Sequence, residues 1–132
     1  MLDFKEIEAL ILPENEESDR FRNEVIRDYW ISCISREASI LARKDVLLGK
    51  AKFGITGDGK EVPQVALARA MRAGDWRSGY YRDQTLMFAL GVTNIEDYFA
   101  QLYSDTNFDP FSGGRQMNNH YATRMVDRSG EW

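Results

Sequence analysis

"RFRNEVIRDYWISCISREASILARKDVLLG", residues 20–49, carries the longest periodic pattern in the chain and decides how the rest is read. Phe21, Val25, Tyr29, Cys33, Ile40 and Leu47 recur at intervals of four or seven residues. At about 3.6 residues per turn such side chains share one face of a helix. The spacing predicts a single amphipathic helix of about eight turns, from about residue 18 to about residue 48, ended by Gly49. Its expected packed seam contains Tyr29 and Cys33, and its Arg and Glu residues face water. Cys33 is the one cysteine of the chain and has apolar neighbours on both sides. A buried, inert thiol is expected there, with no disulfide framework and no Cys/His spacing of the metal-binding kind.

Upstream, "LDFKEIEALIL" places Leu2, Ile7, Leu10 and Ile11 at helical spacings, with Asp3 and Glu6 in a capping-box-like arrangement and Pro13 closing the segment. Residues 1–14 therefore read as an N-terminal arm or short helix, and residues 15–132 as the domain proper. Downstream, the glycines and β-branched pair after Gly49 predict a loop or short extended piece. A helix is expected from near Glu61, with Pro63 acceptable in its first turn, Val62, Val65, Ala66 and Met71 buried, and Gly74 as the stop. Another is expected from about Arg82 to Leu90, ended by Gly91. Thr93 and Glu96 suggest a capping box for "NIEDYFAQLYSD", with Ile95, Phe99 and Leu102 inward. From Thr106 to Trp132 the sequence is rich in Gly, Asn, Asp and Arg and has no period, so a long loop is expected. No stretch alternates long enough to make a sheet, and the chain as it stands reads as mainly α.

The chain has 132 residues, 43% apolar and 12% aromatic, which is sufficient for one domain with a real core. Its net charge of −4 and the lack of a basic stripe argue against nucleic acid as a partner, since such binding rests on clustered Lys and Arg. Neither a signal peptide nor an apolar run of about 18 residues is visible. A cytoplasmic protein without membrane association is the expectation.

Three stretches could carry chemistry. In "SGYYRDQTLMFALG", residues 78–91, an arginine stands where a helix begins. The helix dipole disfavours a cation there, whereas an anion held by backbone N–H groups and by the guanidinium fork would make sense of Arg82. The plain alternative pairs Arg82 with Asp83 or another acid and packs Tyr80 and Tyr81 on the core. "GGRQMNNHY" holds His120, the one histidine, after an arginine and three amides. Its near-neutral pKa suits proton transfer or the orientation of an oxyanion, and a structural or exposed role suits it equally. "TGDGKE", residues 56–61, has the Gly-Asp-Gly that opens the magnesium signature of thiamine diphosphate enzymes. That signature places its asparagine about thirty residues on. Here the Asn118–Asn119 pair follows about sixty residues later, so Gly57-Asp58-Gly59 reads as a turn feeding the next helix.

In order along the chain, the long helix, the Gly-x-Glu opening of a helix, "GDW", "YYRD", "GVT", "YFAQLYSD", "DPFSGGR" and "RQMNNHY" resemble the N-terminal part of the alpha chain of thiamine diphosphate-dependent 2-oxo acid dehydrogenases, the branched-chain type most of all. The resemblance covers roughly Tyr29 to Tyr121. It implies that Tyr81 and Arg82 contact the cofactor diphosphate and that His120 helps to position the 2-oxo acid or the lipoyl group. The implied reaction is oxidative decarboxylation of a 2-oxo acid with acyl transfer to lipoamide, in which the cofactor supplies the chemistry and the protein orientation and electrostatics. The implied partners are a beta chain or beta region of the same enzyme and a lipoyl-bearing acyltransferase, with self-association also expected. The family often has Pro-Val where this chain has Asn118 and Asn119, and glutamine where Tyr80 stands. Family members continue into a parallel sheet carrying the magnesium ligands, so the resemblance implies a helical N-terminal portion of an α/β thiamine diphosphate-binding fold, a fragment inactive alone and without metal ligands of its own. The competing reading is a noncatalytic helical module for protein interaction, or a degenerate remnant of the same family.

Overall fold

α1, Glu16–Leu47, runs unbroken for 32 residues and forms a spine that each of the other described helices contacts. It is followed by α2, Glu61–Ala70, α3, Gln84–Leu90, and α4, Ile95–Leu102. The computed structural model describes residues 16–72, 74–115 and 121, and among these there is no strand, in agreement with the mainly α reading. The expected arm at 1–14, and His120 with Asn118 and Asn119, lie outside the described residues.

The length of α1 is as the periodicity predicts, but the face it buries is a different one. Ser35, Ala38, Ser39 and Ala42 are buried, at the i, i+3, i+4, i+7 spacing of a helical stripe. Tyr29 of the expected seam is 71% exposed, Phe21 69% and Leu47 81%, and Cys33 is only half-buried. The reason is proximity: small side chains let the α3 backbone approach α1 closely, whereas a stripe of Tyr and Leu would hold it off. Ala38 and Ala42 join Ala51, Met87, Tyr98, Leu102 and Tyr121 in the main core, flanked by Val46, Phe88 and Phe99. Tyr98 meets Phe99 edge-on at 5.1 Å between ring centroids, a favourable aromatic geometry.

α2 also turns a different side inward. Glu61, Gln64, Val65 and Ala68 are its buried residues, while Val62 and Ala66, expected inside, are exposed. Pro63 lies in the first turn as expected. The helix ends at Ala70, before Gly74, because Met71 is already extended. Ala68 and Met71 pack with Leu86 of α3 in a second small cluster. α3 is closed by Gly91 in the left-handed conformation, φ +70°, whose N–H reaches the carbonyls of Met87 and Phe88. The capping box of α4 forms one residue later than Thr93 and Glu96: Asn94 and Asp97 satisfy each other's backbone N–H groups. Leu102 is inward, while Tyr98 and Gln101 take the inner positions expected of Ile95 and Phe99, which are half-buried.

The stretch after α4 is a series of turns as far as Arg115. Asp109 organises it, accepting from the Ser112 hydroxyl at 2.5 Å and from the N–H groups of Phe111, Ser112 and Gly114. Burial pushes its carboxyl up, but those donors outweigh burial and hold it below its ordinary value. Gly114, at φ +74°, lies so near Ser104 that a Cβ would meet the Ser104 carbonyl oxygen at 2.6 Å.

Candidate functional site

The Tyr81-Arg82 pair sits in a turn just before α3, not within the helix as its sequence position suggested. The Asp83 N–H donates to the Tyr80 carbonyl at 3.1 Å, and the Tyr80 N–H donates back to Asp83 Oδ2 at 2.8 Å. The same carboxylate oxygen holds Arg77 at 2.6 Å, an ion pair in which both side chains are largely covered. Arg77 also reaches the Tyr121 carbonyl at 3.4 Å. Asp83, the acid that the plain reading assigned to Arg82, is thus engaged by Arg77.

Arg82 makes no ion pair among the described residues, and its Nε is buried without a hydrogen-bond partner there. Its guanidinium carbon lies 5.5 Å from the centre of the Tyr81 ring, a cation–π arrangement. Tyr81 in turn lies against Tyr80, with ring centroids 4.0 Å apart and planes tilted by 36°, and accepts the Tyr80 hydroxyl at 2.6 Å. That hydrogen bond pushes the Tyr80 phenol above its ordinary value. Tyr80 is exposed and Tyr81 half-buried, so neither belongs to the core. A guanidinium shielded on one side by an aromatic ring and not neutralised by a carboxylate suits an oxyanion with forked geometry, above all a phosphate.

The turn is held from below by buried amides that the sequence did not single out. Gln84, fully buried, accepts the Gly57 N–H at 3.0 Å and donates to the Ser35 carbonyl, the Ser35 hydroxyl and the Ser39 hydroxyl at 2.8 to 3.0 Å. Thr85 shares a 2.6 Å hydrogen bond with the Ser35 hydroxyl. Gln64 donates to the Arg82 carbonyl at 2.8 Å and accepts the Leu86 N–H at 3.0 Å. The available signal was the Ser35, Ala38, Ser39, Ala42 spacing, which marks a face too small and too polar to register as hydrophobic.

Gly57-Asp58-Gly59 forms a turn, with the Lys60 N–H on the Gly57 carbonyl at 3.2 Å. Asp58 is tied to Thr56 at 2.5 Å and to Arg43 at 2.6 Å, with Arg36 at 3.8 Å. The Thr56 hydrogen bond and the Arg43 guanidinium hold its carboxyl below the ordinary range. Glu61 caps the Gly59 N–H and pairs with Arg36 at 3.0 Å. Among the described residues no group of three or more His, Cys, Asp or Glu side chains could hold a metal ion. No described helix is long and apolar enough to cross a membrane.

A family model for the dehydrogenase E1 component matches residues 32–131, a span that includes Gln64, Tyr81, Arg82 and His120. The chain is similar to 2-oxoisovalerate dehydrogenase subunit alpha from Bacillus subtilis (strain 168), with 38% identity over 77 residues. That alignment covers 58% of this chain and 23% of the relative, so the chain spans about a quarter of the length of the curated relative it matches. No solved structure matches it.

Proposed function

Because the chain belongs to the dehydrogenase E1 component family, we propose that it is the cofactor-diphosphate-binding portion of an alpha chain in a 2-oxo acid dehydrogenase, acting on a branched 2-oxo acid. Tyr81 and Arg82 hold the diphosphate of thiamine diphosphate. The observation that carries this reading is the state of Arg82: its adjacent acid is taken by Arg77, its guanidinium lies on the Tyr81 ring, and its buried Nε has no partner among the described residues. A charged group left so would be costly unless an anion completed it. The residues therefore fit a diphosphate.

When bound, the cofactor supplies the decarboxylation chemistry, and the protein binds and orients it. Arg82 neutralises diphosphate charge, and the Tyr81 ring shields the guanidinium from water. The magnesium that accompanies the diphosphate draws its ligands from outside the described residues. His120 is assigned the positioning of the 2-oxo acid or of the lipoyl group. Its neighbour Tyr121 is joined through Arg77 to Asp83, beside Arg82. A beta chain or beta region completes the site, and a lipoyl-bearing acyltransferase takes the acyl group. The exposed Phe21, Tyr29 and Leu47 support assembly into an oligomer.

Titration of thiamine diphosphate against wild type, Arg82→Ala and Arg82→Lys tests the reading, with magnesium present and the beta region supplied. Arg82→Ala should weaken cofactor binding by about 2 kcal/mol, as expected for a lost hydrogen bond to a charged group. The chemical step at saturating cofactor should change little, because the contact is made equally in ground and transition states. Arg82→Lys should recover part, keeping the charge but not the fork. Unchanged affinity in Arg82→Ala removes the phosphate role.

A further inference from the structure

Gln64 stands on the buried face of α2, 8% exposed, with both ends of its amide engaged on the segment that carries Arg82. Its Nε2 donates to the Arg82 carbonyl at 2.8 Å and its Oε1 accepts the Leu86 N–H at 3.0 Å. One side chain thus links the turn before α3 to the first turn of α3. Gly57 also lies beside this carbonyl, so near that a Cβ added there would sit 2.5 Å from the Arg82 oxygen. Gly57 is itself fixed through its N–H to Gln84. The Arg82 carbonyl therefore has both a hydrogen-bond donor and, close by, a backbone that only glycine allows so near.

We infer that Gln64 is a positioning residue for Arg82: by fixing the carbonyl it sets ψ at that residue, and with it the line along which the guanidinium leaves the backbone over the Tyr81 ring. The inference rests on the reading of Arg82 as a diphosphate ligand and adds the residue that aims it. Gln64 need not touch the anion. Its contribution is preorganisation, which keeps a long, flexible side chain in the orientation that an incoming phosphate oxygen requires. Two substitutions separate the aims of the amide. Gln64→Glu keeps an acceptor for the Leu86 N–H but sets an oxygen against the Arg82 carbonyl when ionised. Gln64→Met removes both hydrogen bonds without adding charge.

The experiment is a calorimetric titration of the full 132-residue chain with inorganic diphosphate. It compares wild type, Gln64→Glu, Gln64→Met, Arg82→Ala and the Gln64→Glu/Arg82→Ala double variant, with thermal melts of each in parallel. Both Gln64 variants should bind diphosphate about tenfold more weakly, in the range for coupled neighbours. Gln64→Glu should lose nothing further in the Arg82→Ala background. Lowering the pH until the new carboxyl is protonated should bring Gln64→Glu back toward wild type, because the acid O–H can again donate to the Arg82 carbonyl. A Gln64 that only supports the fold would lower the melting temperature and leave diphosphate affinity intact in the folded protein, and that result overturns the inference. So does wild-type affinity in Gln64→Met beside a loss in Gln64→Glu, which would reveal charge repulsion and not aim. If Arg82→Ala weakens binding while neither Gln64 variant does, the inference alone fails. If Arg82→Ala binds as wild type does, or wild type takes up no diphosphate, the reading of Arg82 fails and the inference with it.

Discussion

Along α1 two faces run side by side, about a third of a turn apart by helical geometry. One presents Phe21, Val25, Tyr29, Ile40 and Leu47, and it is exposed. The other presents Ser35, Ala38, Ser39 and Ala42, and it is buried against α3. Side-chain hydrophobicity alone would rank them the other way. Burial follows complementarity: the small face accepts a neighbouring backbone and satisfies its polar groups, and the large face has no such neighbour among the described residues. The same difference separates the part of the chain that positions Arg82 from the part available to other surfaces.

The sharpest way to break this contrast is to remove the amide that fills the small face. Gln84→Ala should leave the buried Gly57 N–H without its partner, at about 1–3 kcal/mol for a buried group left unsatisfied, while the Ser39 hydroxyl keeps its bond to the Ser35 carbonyl. Urea denaturation would read this as a lower midpoint with a similar slope. If the midpoint stays within error of wild type, the network does not hold the turn. Ala42→Leu comes next, since overpacking a filled seam costs about 1–3 kcal/mol. A gain in stability would mean that α1 and α3 are not closely apposed.

A third test concerns the end of α1, where the Tyr103 hydroxyl donates to Asp45. The hydrogen bond to Asp45 pushes the Tyr103 phenol up to about 12. The Asp45 carboxyl lies below its ordinary value, held there by Tyr103 and then by Lys50. For the raised group, stability is fully present below the ordinary tyrosine pKa near 10 and is lost as pH rises toward about 12. For the depressed group, stability is present above the ordinary carboxylate value and is lost as pH falls through the lower folded one. Denaturation midpoints against pH should show both limbs, and Tyr103→Phe should flatten the alkaline one. The smallest effect belongs to the large face: Tyr29→Ser or Leu47→Gln should change the stability of this chain by less than about 0.5 kcal/mol, as for ordinary surface positions. A substantial loss would show that those residues are covered, by a core or by a contact between copies of the chain.

The four described helices, the stops at Gly91 and near Gly49 and the turn at Gly57-Asp58-Gly59 are legible because each depends on local chemistry. The buried faces of α1 and α2 are not. The visible periodicity is that of Tyr, Val and Leu, whereas the packing runs through Ser, Ala and Gln, whose burial depends on partners about 20 to 50 residues away in the chain. The cap of α4 was misplaced by one residue because Thr93-x-x-Glu96 and Asn94-x-x-Asp97 are both acceptable boxes, and only the chain direction on entry selects between them. That Arg82 has no acid paired with it among the described residues is hidden from the sequence for a similar reason. Whether Asp83 pairs with its neighbour or with Arg77 depends on how the turn folds back.

The amide-and-hydroxyl filling between α1 and α3 has a thermal consequence. Exposing apolar surface raises the heat capacity on unfolding and exposing polar surface lowers it, by about +0.45 and −0.26 cal/K/mol per Å². An α1–α3 interface filled by Ser35 and Ser39 from one helix and Gln84 and Thr85 from the other releases more of the second kind than an interface of leucines of equal area. Its increment per residue should fall below the usual ~12–15 cal/mol/K. The stability curve is then broad and shallow, so this chain should lose little of its stability on cooling, and scanning calorimetry at several pH values would measure the slope directly.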